Sequence, residues 1–259
     1  MTNILLWDLE TTPNRGFFWG IFNQQIQYNA IDKERSIICG SFKNLGNDKI
    51  TTVSLLDYKK RLRNDVYDDY EVVKAIHKIL SSADVLIGHN ADKYDLKFFN
   101  SRAVFHGLNP IPTKIPSVDT LKVAKKHFRF NSNRLGYLGD YLDVGTKLKT
   151  SSGLWLKIVK DSTSFKDRCA AIQEMVNYNK RDVVLLEDVY NKLLPYMDNH
   201  PNINIIKDLN GHACKNCGSL KVRKNGFVRT KVGSYQRYQC QDCGSWSQGK
   251  ENLSSTVLR

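Results

Sequence analysis

The run Ile4-Leu5-Leu6-Trp7 is continuously apolar, not alternating, and it leads directly into Asp8-Leu9-Glu10. A strand with apolar side chains on both faces belongs in the middle of a sheet that is covered on two sides, which points to an α/β layer architecture. With a side-chain period of two, Asp8 and Glu10 leave that strand on one face, where two carboxylates repel unless a cation joins them. A hard divalent cation takes carboxylate oxygens and would do so. Two solvated acids at a strand end are the other reading of an Asp-x-Glu pair.

Further along, Tyr70 to Leu80 has the spacing of an amphipathic helix, with Asn64 and Asp65 as candidate caps. Asp68 and Asp69 near its start complement the helix dipole and are given no chemical role. Val85 to Gly88 predicts a short buried strand, and His89-Asn90 the turn into a helix through Phe98, Phe99 and Val104. On that helix Asp95 shares a face with Phe98, Phe99 and Arg102, whereas Asp92 reads as a cap or an exposed residue. The helix of about Phe165 to Leu194 aligns Ala171, Met175, Leu186, Val189 and Leu193 in one stripe, with Tyr178 and Asp182 in the middle of it. An unpaired carboxylate there carries a heavy desolvation cost, so Asp182 calls for a metal or a strong partner such as Arg134.

Composition adds a partner class. The 259 residues carry a formal net charge of +13, and nine Lys or Arg against Asp242 and Glu251 place +7 of it after residue 209. That concentration is the electrostatic footprint of a nucleic-acid-binding appendage, with a solvated basic tail as the bland alternative. A quarter of the residues are charged and a tenth aromatic, which excludes a low-complexity or disordered chain. No stretch reaches the roughly 18 apolar residues of a spanning helix, so no membrane partner is expected and the location reads as cytoplasmic.

Cys214-x2-Cys217 and Cys240-x2-Cys243 have the spacing of two knuckles closing one tetrahedral Zn²⁺ site; a pair of disulfides is disfavoured in a reducing compartment. Gly218 and Gly244 follow the knuckles, where a tight turn favours positive φ. Leu220 to Lys224 and Phe227 to Thr230 flank Asn225-Gly226, a two-residue hairpin signal, so the piece reads as a zinc ribbon folded by its metal. Its arrangement resembles the ribbons of bacterial transposase-associated DNA-binding proteins. Cys39 and Cys169 read as core fillers.

Three segments in order, "ILLWDLETTP", "IGHNADKYDLKFFNSRA" and "YNKRDVVLLEDVY", resemble the three exonuclease motifs of the DEDD superfamily in its tyrosine (DEDDy) branch. The stretch "SVDTLKVAKKHFRFNSNRLGYLGDYL" is similar to the segment between them in phage and bacterial members, and the resemblance spans roughly residues 3 to 195. It implies a ribonuclease H-like α/β fold: a mixed five-stranded sheet with three leading antiparallel strands, 37–42 and 49–55 being the second and third, flanked by helices. It also implies a 3′–5′ exonuclease in a bacterial or phage-infected cell. Asp8 would bridge two Mg²⁺ (or Mn²⁺) ions, Glu10 and Asp182 would sit on the ion that activates water, and Asp95 on or near the other. Tyr178 would orient the attacking water, leaving no base role for His89.

Nucleic-acid contacts are expected from Leu9, Thr11, Thr12 and Asn90 around the acids, and from Lys125, Lys126 and Arg129 in a basic segment interleaved with Phe128 and Phe130. On the ribbon they are expected from Arg223, Lys224, Arg229 and Arg237. The domain reading is 1–198 exonuclease, 199–211 linker, 212–248 zinc ribbon and 249–259 flexible tail, with relative motion across the linker. The irregular stretch from Asp143 to Ser164, with its lone Trp155, reads as a substrate-side loop. The expected partner is nucleic acid with a 3′ end, DNA before RNA, with a protein partner for the ribbon as an option. A catalytically silent nucleic-acid-binding module and a structure-specific endonuclease are the competing functions.

Overall fold

A computed structural model describes residues 2–20, 22, 25–112, 114–209 and 212–254. Strand β1 (Ile4–Thr11) leads through a short ribbon, β2 (Arg15–Gly16) and β3 (Ile31–Lys33), to β4 (Ile37–Asn44) and β5 (Ile50–Ser54). Helices α1 (Lys59–Asn64) and α2 (Tyr70–Ser81), strand β6 (Val85–Gly88), helix α3 (Asp95–Phe105) and strand β7 (Ser117–Asp119) follow. The body ends with α4 (Thr120–His127), α5 (Leu135–Tyr141), α6 (Leu154–Val159) and the 29-residue α7 (Phe165–Leu193).

The main sheet has five strands in the order β5-β4-β1-β6-β7, antiparallel from β5 to β1 and parallel from β1 to β7. The continuous apolar run of β1 serves both faces. Leu5, Trp7 and Leu9 pack in one core with Val73, Ile76 and Met175, while Ile4 and Leu6 pack in a second with Ile87, Leu186 and Val189. Asp8 and Glu10 continue the Ile4–Leu6 face, against which α7 lies. Helix α7 starts at Ser164, whose hydroxyl accepts from Asp167 N, and stops before Pro195. Losing one of its buried anchors, as in Leu186→Ala, costs about 2–5 kcal/mol in a core of this kind.

Asn64 and Asp65 do not cap α2. The cap position is Asp69, fully buried, and its carboxylate is taken by Arg102 at 2.5 and 2.9 Å, His106 at 2.7 Å and the backbone N–H of Ile37 at 2.8 Å. It ties β4, α2 and α3 together, a buried acid with its charge met by a bidentate guanidinium.

The C-terminal sheet has the order β10-β9-β8, formed by β8 (Val222–Thr230), β9 (Gly233–Cys240) and β10 (Trp246–Gln248). Asn225-Gly226 is not the hairpin turn. It is a bulge inside β8, with Gly226 at φ +69°, and the turn lies at Lys231-Val232 between the paired Thr230 and Gly233. Side chains of β9 meet the displaced carbonyls: Arg237 Nε donates to Asn225 O and Gln236 Nε2 to Gly226 O. An Asn-Gly pair supplies positive φ to either structure, so the dipeptide alone does not distinguish a bulge from a turn.

The stretch read as a linker is packed. Helix α8 (Ile203–Ile206) buries Ile203, and His200, also buried, bonds Tyr190 OH of α7 through Nε2 at 2.7 Å. Asn216, between the first two knuckle cysteines, donates to Leu194 O and Met197 O at the end of α7. The expectation of free relative motion therefore meets a hydrogen-bonded junction; Asn210 and Gly211 lie outside the described residues. Likewise 249–253 is not a loose tail, since Gly249 N and Leu253 N donate to Gln236 O and Ser234 O of β9, and 255–259 lie outside the described residues. Among the described residues no helix is long and apolar enough to cross a membrane.

Candidate active site and cysteine site

One carboxylate oxygen each from Asp8, Glu10 and Asp182 lie within 4.8 Å of one another. The first two come from the C-terminal half of β1, where period-two alternation aims them at α7; the third comes from the middle of α7. Burial, reinforced by the mutual repulsion of the acids, pushes the Asp8 carboxyl well above the usual range. Burial and then Asp182 push Glu10 up to about 8. Asp95 opens α3 and is buried outside this three-oxygen group; burial lifts it to about 7 against the backbone N–H groups of Asp95 itself and Leu9, which favour its charged form. After burial, Asp95 is the largest contributor to the shift of Asp8, so the four acids form one electrostatic unit.

Two partners of these acids escaped the sequence reading. Asn179, fully buried on α7, donates Nδ2 to Asp8 Oδ2 at 2.7 Å. Lys147, from the stretch before α6, donates to Asp182 Oδ2 at 2.5 Å and to Tyr178 OH at 3.0 Å. Asp182 therefore meets Lys147, not Arg134. Asn179 was hidden in the apolar stripe of α7, three residues before Asp182, and its place in that stripe was the available signal. Lys147 had none, because it lies in a segment without periodicity. Trp155 of α6 meets Tyr178 edge-on at 6.4 Å, which places part of the 143–164 stretch against the acids.

Asp8 and Asp182 line a cleft of about 860 Å³, together with Asn90, Lys125, Tyr137, Lys147 and Tyr178. Asn90 holds φ +66° and donates its N–H to Asp119, which also caps α4. Both ring nitrogens of His89 are engaged, by Thr120 Oγ1 and Asn133 O at 2.9 Å each. Leu9 and Thr12 do not face the cleft: Leu9 belongs to the core, and buried Thr12 accepts from Ser36 N at 2.8 Å. Thr11 Oγ1 lies 3.3 Å from Tyr94 OH. Lys125 and Arg129 are exposed, and Lys126 pairs with Asp198 at 2.9 Å. On the ribbon Arg223, Lys224 and Arg229 are exposed, whereas Arg237 is half-buried over Trp246 at 4.7 Å.

The four knuckle cysteines also bring their sulfurs within 4.8 Å of one another. The Cys214–Cys243 and Cys217–Cys240 sulfurs are 3.6 and 3.7 Å apart, too far for a disulfide and close to the ~3.8 Å edge of a tetrahedron with Zn–S bonds of about 2.3 Å. The two knuckles repeat one turn: Gly218 N donates to Cys214 O and Gly244 N to Cys240 O, with both glycines at φ +77°. At Cys240 burial opposes ionisation, but the N–H groups of Cys243 and Asp242 together with the side chains of Cys217 and Cys243 outweigh it, bringing the thiol down to about 7.

Residues 42–194 match the family model of the RNase_H superfamily. The chain belongs to this superfamily. The match takes in Asp95, Lys147, Tyr178 and Asp182, while β1 with Asp8 and Glu10 precedes it and the cysteine site follows it. Among curated proteins this RNase_H-superfamily chain is similar to the PolC-type DNA polymerase III of Ureaplasma parvum serovar 3 (strain ATCC 700970), with 28% identity over 149 residues. The match covers 54% of this chain and 10% of that polymerase, so the chain spans about a tenth of its relative. Among solved structures it resembles the family B DNA polymerase of the hyperthermophilic archaeon Pyrobaculum calidifontis, with a TM-score of 0.54 and 14% identity over 75% of this chain and 25% of that one. At that identity the likeness is one of fold.

Proposed function

We propose that this RNase_H-superfamily chain is a metal-dependent 3′–5′ exonuclease of the DEDDy type, acting on nucleic acid and on DNA in preference to RNA. The observation that carries the reading is the convergence of Asp8, Glu10 and Asp182 oxygens within 4.8 Å, beside a cleft that Asp8 and Asp182 line. The donor set fits Mg²⁺ or Mn²⁺: it is all oxygen, its members repel one another, and Asp182 Oδ1 is buried with no hydrogen-bond partner. Two such cations on Asp8, Glu10, Asp95 and Asp182 would lower the pKa of an attacking water and neutralise charge on the attacking and leaving oxygens.

The chain's own groups do the rest. Asn179 holds Asp8 in place across the β1–α7 interface. Tyr178 OH, one turn from Asp182 on the same face of α7 and bonded by Lys147, would hold the attacking water by a hydrogen bond. The four cysteines suit Zn²⁺, and the ribbon would aid nucleic-acid binding through its basic surface. That a relative by sequence is named a DNA polymerase supports DNA as the substrate.

The test is incubation of the full chain with 5′-labelled single-stranded DNA, duplex DNA and RNA, with Mg²⁺ or Mn²⁺, beside a closed single-stranded circle. Release of nucleoside monophosphates with stepwise shortening from the 3′ end is expected. No cation-dependent degradation would overturn the enzyme reading in favour of a silent binding module, and cleavage of the circle would make the enzyme an endonuclease.

A further inference from the structure

Five aromatic rings run in contact from the cleft to the ribbon. Tyr137, which lines the cleft with Asp8 and Tyr178, stacks on Tyr141 with ring centres 5.9 Å apart. Tyr141 meets Phe130 at 5.2 Å, Phe130 stacks on Phe128 at 4.9 Å, and Phe128 meets Tyr196 at 4.8 Å. Tyr196 follows Pro195, which lies beside Gly244 of the second cysteine knuckle. The series draws on three separate parts of the chain: the segment after α4, helix α5 and the turn that ends α7. Tyr141 and Tyr196 are the open members, at 63% and 50% exposure, while Tyr137, Phe128 and Phe130 are half-buried and rest on the core.

Cations follow the same route. Lys125 lines the cleft and Arg129 is exposed between the two phenylalanines. At the far end Asp198 accepts from Lys126 of α4 through its carboxylate and from Lys215 of the ribbon through its carbonyl, at 2.9 and 3.0 Å, so the basic surface of the body meets that of the ribbon there.

We infer that this ladder is the track of an unpaired nucleic-acid strand, its 3′ end in the cleft and its 5′ side leading toward the ribbon. Rings can take the face of a base only where that base is out of a duplex, and cations beside them take the phosphates. A duplex keeps its bases stacked on each other and offers the rings nothing. The substrate class is therefore a single strand or a single-stranded 3′ tail long enough to reach the ribbon. The direction of the strand rests on the exonuclease reading; the existence of the track does not.

The experiment compares the full chain with Tyr141→Ala and Tyr196→Ala, both surface positions. Anisotropy reads binding of a labelled dT 16-mer with phosphorothioate linkages at its 3′ end, its RNA counterpart, an abasic 16-mer and a blunt duplex, without added Mg²⁺ or Mn²⁺. Each substitution is expected to weaken binding of the dT 16-mer by about 5- to 150-fold, the range for losing one base–ring stack, while the salt dependence stays unchanged because no cation is lost. The wild-type chain should show a loss at least as large on the abasic strand. Hydrolysis of the p-nitrophenyl ester of thymidine 5′-monophosphate with Mn²⁺, too small to reach the ladder, should be equal in all three proteins. Unchanged binding by both variants, or equal wild-type affinity for the duplex, would overturn the track. So would a wild-type dimer that the substitutions dissociate, because the rings would then be a contact between copies. Single-strand binding without hydrolysis of either the ester or a cleavable strand would overturn the exonuclease reading and leave the track standing, and the RNA arm decides which nucleic acid it holds.

Discussion

Asn179 Nδ2 lies 2.7 Å from Asp8 Oδ2, joining the longest helix to the central strand at the carboxylate cluster. The contact spans 171 residues of sequence and fixes which way Asp8 points. Supporting hydrogen bonds of this kind are worth about 10- to 100-fold in metal affinity or turnover. Asn179→Ala is expected to lower cation-dependent cleavage within that range and to raise the Mn²⁺ concentration needed for half-maximal activity. Full activity at unchanged Mn²⁺ demand would show that Asp8 needs no such support.

Lys147 balances the acids when no divalent cation does. Although burial opposes its charge, its bonds to Asp182 and Tyr178 outweigh that and raise its pKa, so its stabilisation is present throughout the neutral range and is lost only as pH rises through the raised folded value. Lys147→Met removes the one cation that hydrogen-bonds Asp182 among the described residues and should cost about 1–3 kcal/mol. Thermal unfolding without added Mg²⁺ or Mn²⁺ checks this, and the deficit should shrink when either ion is added, because the ion takes over the compensation.

The raised carboxyls set a pH dependence of known sign. Glu10 titrates at about 8 against an ordinary 4.5, and Asp95 at about 7 against 3.8. Between the ordinary and the raised values the folded site holds protons that the unfolded chain has released, so these groups make stability fall as pH rises through about 4 to 8. Without added divalent ions the wild-type Tm should lose more between pH 5 and pH 8 than that of Glu10→Gln. Mg²⁺ or Mn²⁺ should raise the wild-type Tm most at pH 8. A difference of the opposite sign would place Glu10 outside the repulsive cluster.

Removal of the zinc proposed for the four cysteines should reach the body. Asn216, 2% exposed, donates to Leu194 and Met197, and Cys217 and Cys243 pack on the core that holds Tyr190 and Leu193 of α7. Cys214→Ser, or a zinc-selective chelator, is therefore expected to lower the Tm of the whole chain, not merely to release an independent ribbon. It should also weaken nucleic-acid binding and reduce its salt dependence. A calorimetric scan showing the body unfolding at an unchanged temperature would contradict the coupling.

Local pattern accounts for what could be read directly. The unbroken run from Ile4 to Trp7 marks a strand covered on both faces, and the structure puts it third of five, feeding two cores from alternate side chains. Asp8 and Glu10 share a face because strand side chains alternate; Tyr178 and Asp182 share one because four residues make about one helical turn. The cysteine spacing likewise needs no more than two tight turns, each with a glycine at φ +77°.

Tertiary structure decided the rest, because contacts between distant segments leave no period in the chain. Lys147 reaches Asp182 across 35 residues from a stretch with no pattern, and nothing local marks it as a partner. The pair Asn225-Gly226 has a backbone preference that fits a turn and a bulge alike, and only the register of β8 against β9 selects the bulge. Leu9 and Thr12 neighbour the acids in sequence but are drawn into the interior by the pairing of β1 with β4 and by Ser36. The same holds for the ribbon and the ladder of rings: cysteines and aromatics can be counted in the sequence, but the turn after α7, held by Asn216, is what puts Tyr196 beside Phe128. Short-range periodicity thus determined the chemistry available to this chain, and long-range packing decided which groups meet to use it.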